Sequence, residues 1–133
     1  MEETTVIATG RLESHPADAQ RIETYLPSQC VQSHASNIMP LNNGDLLCAW
    51  FAGTQEGIAD ISIYMSRLNA GETTWTEAVK LSEDSERSEQ NPVIFEAPDG
   101  RVWLLYTAQR SGNQDTAIVR CRISEDKGHT WGP

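Results

Sequence analysis

The sequence predicts an all-β protein built from about two stacked four-stranded units, and three observations support this fold class. A segment around Gly44 recurs around Gly100, 56 positions later, and Trp75 recurs as Trp131 at the same offset. The apolar runs between these landmarks are continuous or alternate with period two, and no run keeps the helical period of 3.6 residues. A repeated four-stranded unit that is apolar on both faces is typical of a β-propeller blade.

The repeat divides the chain into three predicted parts. Residues 1–28 form an N-terminal segment, and one role considered for it is the closing strand of a ring. Residues 29–82 form the first blade, and residues 83–133 form a second blade whose fourth strand is missing. Propellers have at least four blades. We therefore expect an incomplete six- or seven-bladed propeller, with the remaining blades in cis or supplied by a homo-oligomer.

Each predicted blade is organised around a hairpin. Asn43-Gly44 and Asp99-Gly100 are predicted to form type I′ turns, in which both central residues have positive φ. The acidic run Ser82–Glu89 is predicted to be a solvated loop. The predicted strands are Ser36–Leu41, Asp45–Phe51, Asp60–Arg67 and Thr76–Leu81 in the first blade, then Pro92–Ala97, Arg101–Thr107 and Thr116–Ile123 in the second.

Composition excludes several classes of function. The net charge is −9, with 19 acidic and 10 basic residues, and no basic stripe suits a nucleic-acid partner. No apolar run approaches the roughly 18 residues of a membrane span, and the N-terminus lacks the features of a signal peptide. Three cysteines without CxxC spacing fit a reducing compartment, so a cytoplasmic protein is expected. No metal-ligand spacing is present, and neither a metal nor another cofactor is expected.

The segment from Ser124 to Trp131 fits the pattern Ser-x-Asp-x-Gly-x-Thr-Trp. The side chains of Ser124 and Asp126 can hydrogen-bond within a tight turn, Gly128 can take positive φ, and Trp131 can pack the turn onto the blade. The motif resembles the Asp-box of sialidases and other BNR-repeat proteins, where it is structural and joins the third and fourth strands of a blade. The first blade has a longer, degenerate version at residues 66–75.

A wider resemblance covers roughly residues 14–133. It is carried by Ser33–Asn37, Asn43–Gly57, Asp60–Tyr64 and Gln90–Val93. These segments resemble the opening blade of sialidase-like (neuraminidase-like) BNR propellers and, with Gln90–Val93, the propeller lyases that cleave rhamnosyl-glucuronate linkages. The resemblance implies the N-terminal part of a carbohydrate-active propeller, either a glycoside hydrolase or a polysaccharide lyase, that acts on glycans containing sialic or uronic acid.

Three residues are candidates for catalysis, because ligand groups of a propeller lie where the innermost strands start and on the loops at that end. His34 is the candidate acid/base, since imidazole titrates near neutrality. Asp60 is the first candidate acid for hydrolysis, with Glu56 second, and either Arg87 or Arg110 is the candidate cation for an enolate-like intermediate. Each also has a structural alternative: a backbone hydrogen bond for His34, a turn cap for Asp60 and a solvated loop for Arg87.

Polar side chains also cluster in these segments, and we expect them to bind sugar hydroxyls or a sugar carboxylate. The candidate binding residues are Asn37, Gln55, Glu56, Gln90, Asn91, Arg110, Gln114 and Asp115, with Gln109 and Asn113 beside them. For Gln90 and Asn91 the equal alternative is that their amides hydrogen-bond the loop backbone before the strand. Two hypotheses remain open. The chain contributes to an active site for hydrolysis or elimination, or it is a non-catalytic Asp-box module that binds glycans or self-assembles. In both cases we expect no turnover by this chain alone.

Overall fold

The protein is an antiparallel β-structure. A computed structural model describes residues 7–133, so the first six residues of the predicted N-terminal segment lie outside it. No helix occurs in this range, and therefore none that could span a membrane. The all-β prediction is confirmed. The strands are β1 Glu13–His15, β2 Asp18–Glu23, β3 Gln32–Pro40, β4 Leu46–Gly53, β5 Ser62–Leu68, β6 Val79–Lys80, β7 Arg87–Glu96, β8 Val102–Arg110 and β9 Asn113–Ser124.

The strands form three sheets. β1 and β2 make a small hairpin, β3-β4-β5-β6 make a four-stranded blade, and β7-β8-β9 make a three-stranded blade, with all neighbours antiparallel. β6 pairs with β5 only through Lys80 opposite Tyr64 and Val79 opposite Met65. At an offset of 56 residues, the positions equivalent to β6 in the second blade fall beyond residue 133.

The prediction of type I′ hairpin turns is wrong. Gly44 and Gly100 have φ of +94° and +88°, but the residue before each glycine has negative φ. The amide of Leu41 donates to the carbonyl of Asp45 at 2.8 Å, and the amide of Gly44 donates to the carbonyl of Leu41 at 3.0 Å. These bonds define a three-residue loop that ends in a glycine bulge, so only the glycine needs the left-handed region.

Both inner strands contain the same irregularity. The register of β3 against β4 shifts just after His34, and that of β7 against β8 shifts just after Gln90. Ala35 and Asn91, which follow these residues, have φ of +52° and +53°. They lie 56 positions apart, so the bulge belongs to the repeat. A bulge bends its strand and re-aims the side chains beside it.

The two blades pack face to face, with β7 against β3, β4 and β5. The buried cluster between them consists of Leu41, Leu47, Ala49, Phe51, Ile61, Ile63, Met65, Leu81, Ile94, Val102, Leu104 and Tyr106. The opposite face of the first blade carries a second cluster, Cys48, Trp50, Ala52, Leu68 and Trp75, against which Leu12, Leu26 and Cys30 of the N-terminal segment pack. The first blade is therefore covered on both faces.

The N-terminal segment is attached to the first blade along the turn that precedes Thr76. The amide of Trp75 donates to the carbonyl of Gly10 at 2.8 Å, and the amide of Leu12 donates to the carbonyl of Thr73 at 2.8 Å. The segment therefore lies where a preceding blade would lie. A role in closing a ring stays a prediction.

The prediction of a solvated loop over Ser82–Glu89 is wrong at both ends, because Ser82 is buried and only residues such as Glu83 and Glu86 are exposed. β7 already begins at Arg87, and Ser88 and Glu89 are at most 1% exposed. The amide of Glu89 donates to the carbonyl of Ile61 in the first blade at 3.1 Å. This part of the inner strand lies before the bulge and against the first blade, so packing rather than local composition determines the burial of Ser88 and Glu89.

Candidate functional site

A polar hollow of about 500 Å³ opens between the loops at one end of the two blades. The β4–β5 loop supplies residues from the first blade, while β7, β8 and the β8–β9 hairpin supply those of the second. The lining residues are Glu56, Gly57, Gln90, Gln109, Gly112, Asn113, Gln114 and Asp115. Four of the predicted binding residues, Glu56, Gln90, Gln114 and Asp115, therefore meet in one place.

Hydrogen bonds hold the two sides of the polar hollow together. The amide of Gly112 and the hydroxyl of Ser111 donate to the carbonyl of Gly57 at 2.9 and 3.2 Å. Within the β8–β9 hairpin, the side chain of Asn113 accepts from the amide of Asp115 at 3.0 Å. The first blade thus contacts the hairpin of the second directly, and the hollow depends on how the blades stack.

The amides of the polar hollow differ in burial. Gln90 and Gln109 are only 3% and 6% exposed, whereas Gln114 and Asp115 are exposed. Gln90 donates through Nε2 to the hydroxyl of Ser88 at 2.9 Å, which fixes its side chain. Carboxamides donate and accept hydrogen bonds, as sugar hydroxyls do. The residues that line the hollow include two carboxylates and no Lys or Arg.

His34 lies outside the polar hollow. Its ring stacks on Phe51 with the ring centroids 5.2 Å apart, and its Nε2 is 3.3 Å from Oε1 of Gln32. It lines a separate, smaller hollow of about 260 Å³ under the N-terminal segment, together with Ser28 and Trp50.

Asp60 and Arg87 are held by structural hydrogen bonds. The carboxylate of Asp60 accepts from both the amide and the hydroxyl of Thr54, so it caps the β4–β5 loop. Arg87 donates through Nη1 to one backbone carbonyl of β8 and one of β9, at 3.0 and 2.9 Å. Within the described range, no hydrogen bond or ion pair joins His34, Asp60 and Arg87.

The other predicted binding residues occupy different positions. The side chain of Asn37 accepts from the amide of Ile94 at 2.7 Å, which links the inner strands of the two blades. Asn91 is exposed at the bulge. Gln55 and Arg110 are exposed at the open end, beside the lining of the polar hollow rather than in it.

The turn Ser124–Trp131 is built around two polar side chains. The hydroxyl of buried Ser124 lies 2.8 Å from Oδ1 of Asp126 and accepts from the amide of Gly128 at 2.8 Å. Asp126 also accepts from the amide and hydroxyl of Thr130 at 2.8 and 2.6 Å, and these bonds hold the pKa of its carboxyl far below the usual range. Gly128 has φ of +88°, and Trp131 packs against the cluster between the blades.

In the first blade, Asp45 supplies a carboxylate to the degenerate turn. It accepts from the amide of Ala70 at 2.8 Å and from Nη1 of Arg67 at 2.7 Å, and both interactions lower its pKa. Arg67 also donates to the carbonyl of Lys127, so this ion pair connects the turns of the two blades. Sequence reasoning missed it because Asp45 lies on the hairpin, outside the turn that it stabilises.

A second charged group was also missed. Glu89 is 1% exposed, and its Oε2 lies 3.4 Å from Nη1 of Arg120, which also contacts Oδ2 of Asp84 at 2.8 Å. Burial raises the pKa of Glu89, whereas the amide of Glu86 and the guanidinium of Arg120 lower that of Asp84. Between residues 7 and 133, no group of three or more His, Cys, Asp or Glu side chains could hold a metal ion.

Comparison with known proteins identifies the family. Residues 44–133 match the BNR repeat-like domain, and no curated protein matches the chain. A solved structure of the Hadza microbial sialidase Hz136 superposes with a TM-score of 0.65 at 14% identity, over 77% of this chain and 25% of that one. A protein of unknown function from Dyadobacter fermentans DSM 18053 superposes with a TM-score of 0.61 at 15% identity, over 76% of this chain and 35% of that one.

The chain therefore spans about a quarter and a third of the lengths of these two proteins. At such identities the likeness concerns the fold, and it confirms the prediction of sialidase-like propeller blades. The family match covers most of the chain and therefore establishes the family. The chain belongs to the BNR repeat-like family and folds as part of a sialidase-like β-propeller.

Proposed function

We propose that the chain forms part of a carbohydrate-binding site, and that the polar hollow between the β4–β5 loop and the β8–β9 hairpin is that site. The observation that carries this proposal is the convergence of amide and carboxylate side chains from both blades on one hollow. Its volume of about 500 Å³ lies within the range of ligand pockets, about 300–1,000 Å³.

The lining favours a ligand rich in hydroxyl groups. Carboxylates such as Glu56 and Asp115 accept hydrogen bonds from hydroxyls, and the amides of Gln90 and Gln109 supply donors as well as acceptors. The hydrogen bond from Gln90 to Ser88 keeps the side chain of Gln90 at the hollow. These features support recognition of a sugar through hydroxyls on neighbouring carbons.

An acidic sugar is the second candidate ligand, and Arg110 favours it. Its side chain is exposed next to Gln109, where a guanidinium could pair with a sugar carboxylate in the bidentate manner. Glu56 and Asp115 oppose this reading, because they would repel a carboxylate placed inside the hollow. The neutral sugar is therefore the first candidate.

We propose binding, and not turnover, for this chain alone. Hydrolysis needs a pair of carboxyl groups, one of which acts as an acid in an apolar environment, whereas Glu56 and Asp115 of the hollow are both exposed. Elimination needs a base, an acid and a cation. His34, Asp60 and Arg87 are each engaged elsewhere. Either reaction would have to involve other residues of a longer protein. Release of reducing sugar, or absorbance from an unsaturated uronate, by the purified chain would contradict this.

The test is to screen the chain against a panel of neutral and acidic oligosaccharides and to measure the affinity of the tightest binder. Replacing Gln114→Ala should weaken that affinity about two- to tenfold, because one hydrogen bond contributes about 0.5–1.5 kcal/mol. Gln55→Ala is the matched control, an exposed amide outside the lining, and should leave the affinity unchanged. Absence of binding to the whole panel, or equal losses in both variants, would overturn the proposal.

A further inference from the structure

A charged cluster surrounds Glu89, the residue that precedes Gln90 of the polar hollow. Glu89 is buried, whereas its partners Asp84 and Arg120 are partly exposed. Glu89, Arg120 and Asp84 form it, with Arg120 between the two carboxylates at 3.4 and 2.8 Å. Asp84 also accepts from the amides of Glu86 and Arg87 at 2.8 and 3.1 Å, so it caps the turn that leads into β7. The cluster therefore connects the start of β7 to β9.

The charges of this cluster do not balance when Glu89 is ionised. Two carboxylates then share one guanidinium, and Asp84 has the shorter contact with it. Within the described chain, Oε1 of Glu89 is buried without a well-formed hydrogen bond, and the nearby hydroxyl of Ser82 only partly offsets the rise in the pKa of Glu89 that burial causes. An unpaired buried carboxylate oxygen is costly, and uptake of one proton would make the cluster neutral.

The first blade has a neutral contact at the equivalent positions. The positions 56 residues before Asp84 and Glu89 are Ser28 and Ser33, and their hydroxyls lie 2.9 Å apart. The position equivalent to Arg120 is Tyr64. The fold therefore tolerates an uncharged contact at this place, and the charged contact distinguishes the second blade.

Glu89 is also directly connected to the polar hollow. It precedes Gln90, which lines the hollow and immediately precedes the bulge at Asn91. The carbonyl of Gln90 accepts from the hydroxyl of Thr107 at 3.1 Å, and its side chain bonds to Ser88. A small displacement of Glu89 would reach the side chain of Gln90 through this constrained backbone.

We infer that Glu89 is a positioning residue for Gln90, and that proton uptake by its carboxyl aligns Gln90 for ligand binding in the polar hollow. The expected effect on ligand affinity rests on the proposed function, whereas the link between Glu89 and Gln90 does not. The titratable and charged groups around Glu89 are Glu83 and Asp84 before β7, Arg87 on β7, Tyr106 on β8, and Arg120, Cys121 and Arg122 on β9.

The direction of the pH effect follows from burial. Desolvation raises the pKa of Glu89, and Asp84 adds to the increase, while Ser82 and Arg120 oppose it. The folded chain therefore binds this proton more tightly than the unfolded chain does. The stabilisation is complete below the pKa of the unfolded state and is lost as the pH rises through the folded-state pKa. Gln90 should be best aligned on the acidic side of that transition.

The test uses nuclear magnetic resonance on the whole chain without ligand. The side-chain carboxyl of Glu89 and the side-chain amide of Gln90 are followed between about pH 4 and pH 8. We expect both signals to change with one midpoint, above the value of about 4.3 for an exposed glutamate. In Glu89→Gln the change at Gln90 should disappear. It should persist in Glu86→Gln, which removes an exposed carboxylate of the same segment.

Two results would overturn the inference: Gln90 signals that do not follow the titration of Glu89, or a Gln90 transition that persists in Glu89→Gln. If Glu89→Gln does not fold, the two midpoints in the unmodified chain decide the question. Affinity for the best oligosaccharide of the panel is then measured against pH. It should fall as the pH rises through the Glu89 midpoint, and an unchanged affinity would contradict the link to binding. Because the NMR titration needs no ligand, a failure of the link between Glu89 and Gln90 can be distinguished from a failure of sugar binding.

Discussion

The two blades present the same face to different surroundings. We call this the front face, the side that carries Leu47 and Ile63 in the first blade and Trp103 and Val119 in the second. Ile63 is fully buried, whereas Val119, 56 residues later, is 71% exposed. Leu47 is also fully buried, while Trp103 is only partly covered. The front face of the first blade packs on the second blade, and that of the second blade meets solvent in the described chain.

This difference shows that burial in a repeat protein depends on the neighbouring unit as much as on the local sequence. Both front faces are apolar, because each blade is built to be covered. The back face of the first blade is covered by the N-terminal segment instead of by a blade. Residues of the same type on the two blades therefore allow what a neighbouring unit contributes to be measured.

The largest difference should appear between the two Arg–Asp pairs. Arg67 and Asp45 lie between the blades with side chains 6% and 11% exposed, whereas Arg101 and Asp99, on the hairpin of the second blade, are 43% and 51% exposed. Arg67→Met should cost about 3–5 kcal/mol because it leaves a buried carboxylate unpaired. Arg101→Met should cost about 0–1 kcal/mol. Urea unfolding of both variants checks this, and equal losses would contradict the interblade role of Arg67.

The next difference concerns leucines on the two front faces. Leu47→Ala should cost about 2–5 kcal/mol, because it leaves a cavity in the cluster between the blades. Leu105 lies on the partly exposed front face of the second blade. Leu105→Ala should therefore cost about 1 kcal/mol. The measurement is again the free energy of unfolding in urea, and similar values would mean that the second front face is also covered.

A smaller difference is expected between glycines of the two turns. Gly71 and Gly128 have φ of +81° and +88°. A Cβ atom at Gly128 would lie 3.0 Å from both Arg67 Nη2 and Leu47 Cδ1, whereas at Gly71 it would contact nothing within 4 Å. Gly71→Ala should cost about 1–2 kcal/mol from backbone strain alone. Gly128→Ala should cost about 1 kcal/mol more because the blades must move apart. Thermal unfolding curves would show the ranking, and a reversed order would refute it.

The smallest effect should come from the turn carboxylate of the second blade. The pKa of Asp126 is depressed by its bonds to Thr130 and Ser124, so its contribution to stability is present above the unfolded-state pKa of about 3.9 and is lost as the pH falls. Asp126→Asn should lower the urea midpoint at neutral pH, and the gap to the unmodified chain should narrow in acid. A difference in urea midpoint that is independent of pH would show that the charge of Asp126 does not contribute to stability.

The sequence predicted the fold well because its signals are repeated. The offset of 56 residues and the apolar runs determine the seven strands of the two blades and their order, but they did not predict the β1–β2 hairpin of the N-terminal segment. They do not determine the loop closed by Gly44 or the length of β6, which is two residues although six were predicted. An Asn-Gly pair fits several hairpin loops, and the choice among them depends on the pairing of Leu41 with Asp45.

The site was predicted in part, for a physical reason. Glu56, Gln90, Gln114 and Asp115 lie at the open end of the blades, and chain position alone brings them together. The direction of a side chain next to a bulge does not follow from position, and His34 therefore lies outside the hollow. The sequence of a charged segment also does not show which of its residues the neighbouring blade will bury, so the burial of Glu89 was not predicted.

The packing of one blade face on the other is the central claim, and methyl-to-methyl nuclear Overhauser effects test it most directly. We predict contacts from Ile94 on β7 and Leu104 on β8 to methyl groups of the first front face, such as Leu47 and Ile63. Val119 should show no such contacts to the first blade. Missing contacts at Ile94 and Leu104, together with backbone contacts that join the two units edge to edge in one sheet, would contradict the account.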